Sequence, residues 1–180
     1  MKIEWMRHME NKFRLELLNK NKEFQNIFND LLEQKDIFEF DDNLYNFILR
    51  DRSSIWINNE PYAFKDLFHL NLNEGRCKRC VFELLFLLDK FGIYSEAVEC
   101  VNNYFKGTTG SSYGGHWYLE LYYNNDIFLI DTSLIIIGKK DSFEKLGHKI
   151  IRKLDIDTIF KENNELIDYY DNMIINKSNL

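Results

Sequence analysis

Apolar side chains recur at three- and four-residue steps through residues 2–35, at Phe13, Leu17, Phe24, Ile27, Phe28, Leu31 and Leu32. That period predicts amphipathic helix. A break near Asn19–Asn21 divides the segment into two helices. Leu44–Leu49 predicts a short helix whose buried side is Leu44, Tyr45, Phe47 and Ile48. Ile55-Trp56-Ile57 reads as a brief extended piece, and Asn58-Asn59-Glu60-Pro61 as a turn. Phe64, Leu67 and Phe68 predict another helical turn before the loop Asn71–Gly75.

From Cys77 to Phe91 the pattern changes. Val81, Leu84, Leu85 and Leu88 mark one helix face, and Phe82, Phe86 and Leu87 widen it. A helix apolar over so much of its circumference is buried on several sides. Gly92 fits its C-terminal cap. Residues 94–101 read as a strand. Gly107–Gly115 is a polar, glycine-rich loop with Tyr113 as its one bulky side chain. His116–Tyr123 and Ile127–Ile130 are strand-like, separated by Asn124-Asn125-Asp126, a hairpin signal. The chain from about Ser142 reads as one or two helices, with Ile150, Ile151 and Leu154, then Ile159, Phe160, Leu166 and Ile167 as apolar positions. Segregated helices and antiparallel strands predict an α+β fold, with a buried helix packed on an antiparallel sheet and helices flanking it. One domain spanning 1–180 is expected: a helical part at 1–54, a core at 55–133 and a C-terminal helical part at 134–180.

Composition supports one substantial core. Hydrophobic residues make up 45% of the 180 residues, with fifteen Phe and ten Tyr, and a single proline leaves no linker-like stretch. The formal net charge of −6 makes nucleic acid a poor partner. Two basic clusters stand out, Arg76, Lys78 and Arg79, and Lys149, Arg152 and Lys153; the second reads as a solvated helix face. Charges interrupt the first eighteen residues too often for a signal-peptide core, no run is long enough for a membrane span, and three cysteines do not make a disulfide scaffold. A cytoplasmic, reducing setting is expected, with neither membrane nor nucleic acid as partner.

Three residues carry candidate chemistry. Cys77 stands just after Gly75, at the start of the predicted buried helix, where unpaired N–H groups and the helix dipole stabilise a thiolate. The thiolate is the nucleophilic form, and the same N–H groups can stabilise an oxyanion. A small core residue is the plainer reading of a cysteine. His116, Tyr118, Glu120 and Tyr122 share one face of their strand, with Trp117 on the other. With a two-residue turn at Asn124-Asn125, Tyr123 pairs with Asp126 and Asp131 lies opposite Tyr118. Asp131 then sits diagonal to His116 on the same face, about 7–8 Å away and within reach of polar side chains. A four-residue loop keeps this parity and a three-residue loop destroys it. A histidine oriented by a carboxylate can take a thiol proton and return it to a leaving group.

Together these residues resemble the transglutaminase-like superfamily of cysteine enzymes. Gly75-Arg76-Cys77, followed by a long apolar helix closing in Phe91-Gly92-Ile93, is similar to that family's G-x-C block. His116-Trp117-Tyr118-Leu119-Glu120-Leu121 resembles its histidine strand, and Ile130-Asp131-Thr132-Ser133 its aspartate block. The resemblance covers about Trp56 to Ser133. It implies a papain-like core and a papain-type triad, with Cys77 as nucleophile, His116 as base and acid, and Asp131 as orienter. The chain departs from the family pattern at Lys78, Arg79 and Cys80 after the cysteine, at Tyr94 after Gly-Ile, and at Ser133 where a proline is common.

The expected activity is therefore cysteine-dependent acyl transfer from an amide, peptide or ester, through a thioester resolved by water or by an amine. The expected partner is a protein, peptide or small amide or ester substrate; no cofactor or metal is expected. Trp56, Gly75, Tyr113, Gly115 and Trp117 are candidate substrate-binding residues, although core packing is the plainer reading of both tryptophans. Glu120 reads as a site residue or an exposed sheet position, and His8, His69 and His148 as surface residues. Two alternatives remain open: a non-catalytic peptide-binding module of the same fold, and a dithiol redox protein built on Cys77-Lys78-Arg79-Cys80.

Overall fold

In the computed structural model of the chain, the described residues are 14–34, 37–39, 56–57, 60–61, 76–90, 92–107, 113–134 and 136–172. The expectations for residues 2–13, Leu44–Leu49, Phe64–Phe68, Asn71–Gly75 and the middle of the Gly107–Gly115 loop lie outside them. Residues 14–20 form helix α1, followed by α2 (Lys22–Leu32), so the N-terminal segment does divide at Asn21. The Asn21 side chain is the reason: its Oδ1 accepts from the Phe24 N–H at 3.0 Å and caps α2.

The core of the fold is a six-stranded sheet of β1 (Ile37–Glu39), β4 (Ser95–Val101), β5 (Gly115–Tyr123), β6 (Asp126–Asp131), β7 (Ile136–Lys139) and β8 (Lys149–Leu154). Its order is β1-β7-β6-β5-β4-β8 and every pairing is antiparallel. A separate two-stranded ribbon joins β2 (Trp56–Ile57) to β3 (Glu60–Pro61). The long helix α3 (Arg76–Lys90) packs on one face of the sheet, and the short helices α4 (Ile156–Glu162) and α5 (Glu165–Asn172) cover it. The α+β architecture, with a buried helix on an antiparallel sheet, is as the sequence predicts.

Residues Val81 to Leu88 of α3 are all buried because the helix lies between two layers. Toward the sheet it meets Ala97, Trp117, Leu119, Leu121 and Ile130; on its outer side Phe86 packs against Phe160 and Tyr170, at ring separations of 5.4 and 5.7 Å. Gly92, at φ +70°, ends the helix, with the Ile93 N–H donating to the Leu88 carbonyl. The opposite sheet face is covered by α1 and α2. Leu17, Phe24, Phe28 and Leu31 pack there against Val98, Cys100, Phe105, Tyr118 and Leu129.

The β5–β6 hairpin has the expected register, Tyr123 opposite Asp126 and Leu119 opposite Ile130. Asn124 and Asn125 both have positive φ, 50° and 65°, as the favoured two-residue turn requires. The segment Lys149–Leu154, expected to be helical, is instead the edge strand β8. A bulge explains the misleading pattern: Arg152 pairs with Glu99 but Ile150 with Cys100, leaving Ile151 as the extra residue. The adjacent pair Ile150-Ile151 therefore breaks the period of two, and both are exposed on the edge.

The β4–β5 connection is closed by the Asn102 N–H donating to the Gly114 carbonyl at 3.0 Å. Gly114 has φ +80°, and a Cβ there would press into the Asn102 backbone carbonyl. Gly114→Ala is therefore expected to cost about 1–3 kcal/mol in urea unfolding. Gly92→Ala, with a similar φ but open space around it, should cost less.

Candidate active site

His116 is the second residue of β5 and Asp131 the last of β6. The hairpin register puts them diagonal on one face, and their side chains meet: His116 Nε2 lies 2.7 Å from Asp131 Oδ2. Both are buried, at 2% and 0% exposure, so the contact is shielded from water. The other carboxylate oxygen, Oδ1, accepts from the backbone N–H of Ser133 (3.0 Å) and Leu134 (2.9 Å). Burial alone pushes the Asp131 carboxyl up. The His116 charge and hydrogen bond, the Leu134 N–H and His148 outweigh it and hold the carboxyl below its usual value. Asp131 is thus a carboxylate, and His116 Nε2–H is the donor between them.

Cys77 is the second residue of α3 and half-buried. The start of α3 lies over the start of β5, with Phe82 edge-on to Trp117 at 5.5 Å. There the Cys77 thiol lies close enough to His116 to help raise the imidazole's affinity for a proton. Because Nε2 is engaged by Asp131, Nδ1 is the nitrogen left for the thiol. Burial is the largest single influence on His116 and lowers its affinity for a proton. The charge and hydrogen bond of Asp131, together with Cys77, reverse that and push it up to about 10.

The imidazole is held from behind by Phe105, whose ring lies 4.4 Å from it. Phe105 ends a short 3₁₀ turn, Asn103–Phe105, and is backed in turn by Phe24 of α2 at 6.1 Å. The N-terminal helices therefore support the His116 ring. Neither Phe105 nor Asn102 was singled out by sequence; an aromatic pair, Tyr104-Phe105, inside a polar stretch is the signal that marks them.

His148 is not the surface residue expected. Its ring stacks on Tyr118 at 5.2 Å and lies 6.1 Å from His116. Asn102 Nδ2 donates to the Leu146 carbonyl (2.8 Å) and to His148 Nδ1 (3.0 Å), while Oδ1 accepts from the Tyr104 N–H. This leaves His148 Nδ1 only the acceptor role, so the ring is neutral. Burial first, and then the His116 charge, push it down to about 4 against a partial opposing pull from Asp131.

A pH dependence follows. An unfolded histidine takes a proton near pH 6.5, whereas folded His148 resists until about 4. His148 therefore withdraws stability as pH falls from 6.5 toward 4, by about 3 kcal/mol at roughly 1.4 kcal/mol per unit. Glu83 works in the opposite sense: burial, partly offset by Arg79, raises its carboxyl to about 9. The test is accordingly a difference. The stability of His148→Phe relative to the native chain should rise between pH 6.5 and 4 in urea titrations, and a constant difference would refute the assignment.

Of the candidate substrate-binding residues, Tyr113 is 60% exposed and its ring lies where a side chain on Gly115 would be. Gly115 opens β5, next to His116. Trp117 is buried on the α3 side, between Phe82 and the cations of Lys78 and Arg152, away from the His116 face. Trp56 lies in β2, with its side chain outside the described structure, as is Gly75. Glu120 is fully buried and ion-paired with Lys140 (3.0 Å) and Lys153, so it is not an exposed sheet position. All three cysteines are thiols. Among the described residues, no group of three His, Cys, Asp or Glu is arranged to hold a metal ion, and no helix is long and apolar enough to cross a membrane.

Comparison with known protein families, with the curated proteins and with the solved structures finds no match to this chain.

Proposed function

We propose that this chain is a cysteine-dependent acyl-transfer enzyme of the transglutaminase-like type, acting through a thioester on Cys77. One observation carries the reading: a single imidazole, His116, bonded on Nε2 to a buried carboxylate and influenced by the nearby thiol of a helix-start cysteine. In this mechanism His116 takes the thiol proton, and the thiolate attacks the carbonyl of an amide, peptide or ester. N–H groups in the first turn of α3 stabilise the oxyanion. The tetrahedral intermediate collapses to the thioester as His116 returns the proton to the departing amine or alcohol. Water, or an amine, then takes the acyl group. Asp131 acts throughout by holding the ring and its positive charge. Three cysteines kept as thiols suit a reducing, cytoplasmic setting.

The test is acylation by an activated ester, read by intact mass and peptide mapping. A covalent adduct confined to Cys77, absent in Cys77→Ala and slowed at least a hundredfold in His116→Ala, is the expected result. A peptide-binding module of this fold would bind without an adduct. Equal modification of Cys77, Cys80 and Cys100 would remove the basis for the proposal.

A further inference from the structure

The two basic clusters, separated by some seventy residues of sequence, converge in the fold. Both reach the ring of Trp117, with the Lys78 ammonium 5.4 Å and the Arg152 guanidinium 5.8 Å from its centroid. They do so because the second cluster is on strand β8 and not on a helix. Arg152 is neutralised there by Glu99 and Glu162, and Lys153 by Glu120. Among the described residues Lys78 has no such partner: its ammonium rests on Phe82 and Trp117, and it follows Cys77 in the chain.

Two further lysines reach the same end of the sheet. Lys149 pairs with Val101, which pairs with Gly115, so the three residues form one row across β8, β4 and β5 on the face that carries Tyr113. Lys106 runs along Gly114, its Cγ in the space a side chain there would need. Among the described residues no ion pair joins Lys78, Lys106 or Lys149 to a carboxylate. Among the described residues, nearby acids are engaged elsewhere: Asp131 with His116, Glu99 and Glu162 with Arg152, and Glu23 with Tyr104.

Lys78, Lys106 and Lys149, without an ion pair among the described residues, stand at the end of the sheet where β5 opens beside His116, against the charge of a chain that is −6 overall. The first turn of α3 also contains no acidic residue, although helix starts favour acids by about 0.3–1 kcal/mol each. Cations grouped without a carboxylate partner among the described residues attract anions to that end of the sheet.

We infer that the acyl donor is anionic, with a negative charge close to the attacked carbonyl, and that Lys78, Lys106 and Lys149 select it. This rests on the acyl-transfer reading and adds the substrate class. The lysines attract the donor's carboxylate or phosphate and orient it over Cys77, with Tyr113 on Gly115 as the adjoining apolar wall.

Iodoacetate and iodoacetamide, an anionic and a neutral electrophile of the same size, test this directly. Each forms an S–C bond at Cys77 with loss of iodide. The rate ratio at Cys77, normalised to free cysteine, should be raised about tenfold in favour of iodoacetate at low salt and fall toward unity at high salt. The triple substitution Lys78→Gln, Lys106→Gln, Lys149→Gln should cut the low-salt ratio at least threefold and change the iodoacetamide rate less than twofold. Lys106→Gln with Lys149→Gln, both exposed, should give part of that effect with no risk to the packing on Trp117. His116 contributes equally in every variant, so a ratio unmoved by these substitutions overturns the inference. The acyl-transfer reading fails separately, when iodoacetamide labels Cys77 no faster than Cys80 and Cys100; the ratio remains measurable at any absolute rate.

Discussion

Asp131→Asn is expected to slow Cys77 acylation about 10³–10⁴-fold near pH 7 while leaving the chain folded. The amide has nearly the shape of the carboxylate, so the loss comes from proton positions. Oδ1 of residue 131 accepts two backbone N–H bonds, from Ser133 and Leu134. In the asparagine variant only the amide oxygen can do that, which forces the NH₂ group toward His116. An NH₂ group donates, so His116 Nε2 must become an acceptor and the ring proton moves to Nδ1. Nδ1 then faces the thiol already protonated and cannot take its proton. The carboxylate charge is lost as well, and burial leaves the ring neutral. Single-turnover acylation by an activated ester checks this across pH. The deficit should shrink above about pH 9, where a thiol ionises without help. A deficit below tenfold at pH 7 would mean that Asp131 does not set the tautomer.

Phe105→Ala is expected to carry the largest stability loss, about 3–5 kcal/mol, through the cavity it leaves. Phe105 is 1% exposed and is packed between Phe24 of α2 and the ring of His116. For a domain of this length the loss corresponds to a fall in Tm of about 10–15 °C. Activity per folded molecule should fall too, because the imidazole loses the ring that backs it. Phe105→Leu keeps most of the volume and should cost less on both counts. Calorimetry, together with Cys77 alkylation measured well below the variant's Tm, separates the two effects. Full alkylation reactivity in folded Phe105→Ala would show that Asp131 alone orients His116.

The parts of the fold that were legible in sequence are those decided by local repetition. The seven apolar positions between Val81 and Leu88 announce a helix buried on several sides, and α3 is enclosed by the sheet and by α4 and α5. The Asn-Asn turn determines the parity of the hairpin because each side chain's face follows from its count along the strand. The sequence alone therefore matches His116 with Asp131. β8 was illegible because its bulge adds one residue and hides the alternation. His148 was illegible because a lone histidine beside Gly147 has no periodic partner; the groups that enclose it, Asn102, Phe105 and Tyr118, arrive from two other segments.

The sequence by itself determined which groups are available and which neighbours along the chain share a face: a cysteine at a helix start, and a histidine and an aspartate in diagonal register on one hairpin. These relations are settled within a few residues by backbone geometry. Only the tertiary structure decided that α3 brings Cys77 to His116, that the N-terminal helices stand behind the imidazole through Phe105, and that two distant basic clusters meet at Trp117. Those outcomes depend on how α3, α2 and β8 dock on a common sheet. Docking is governed by the burial of whole faces, a sum over residues far apart in the chain that no local pattern contains.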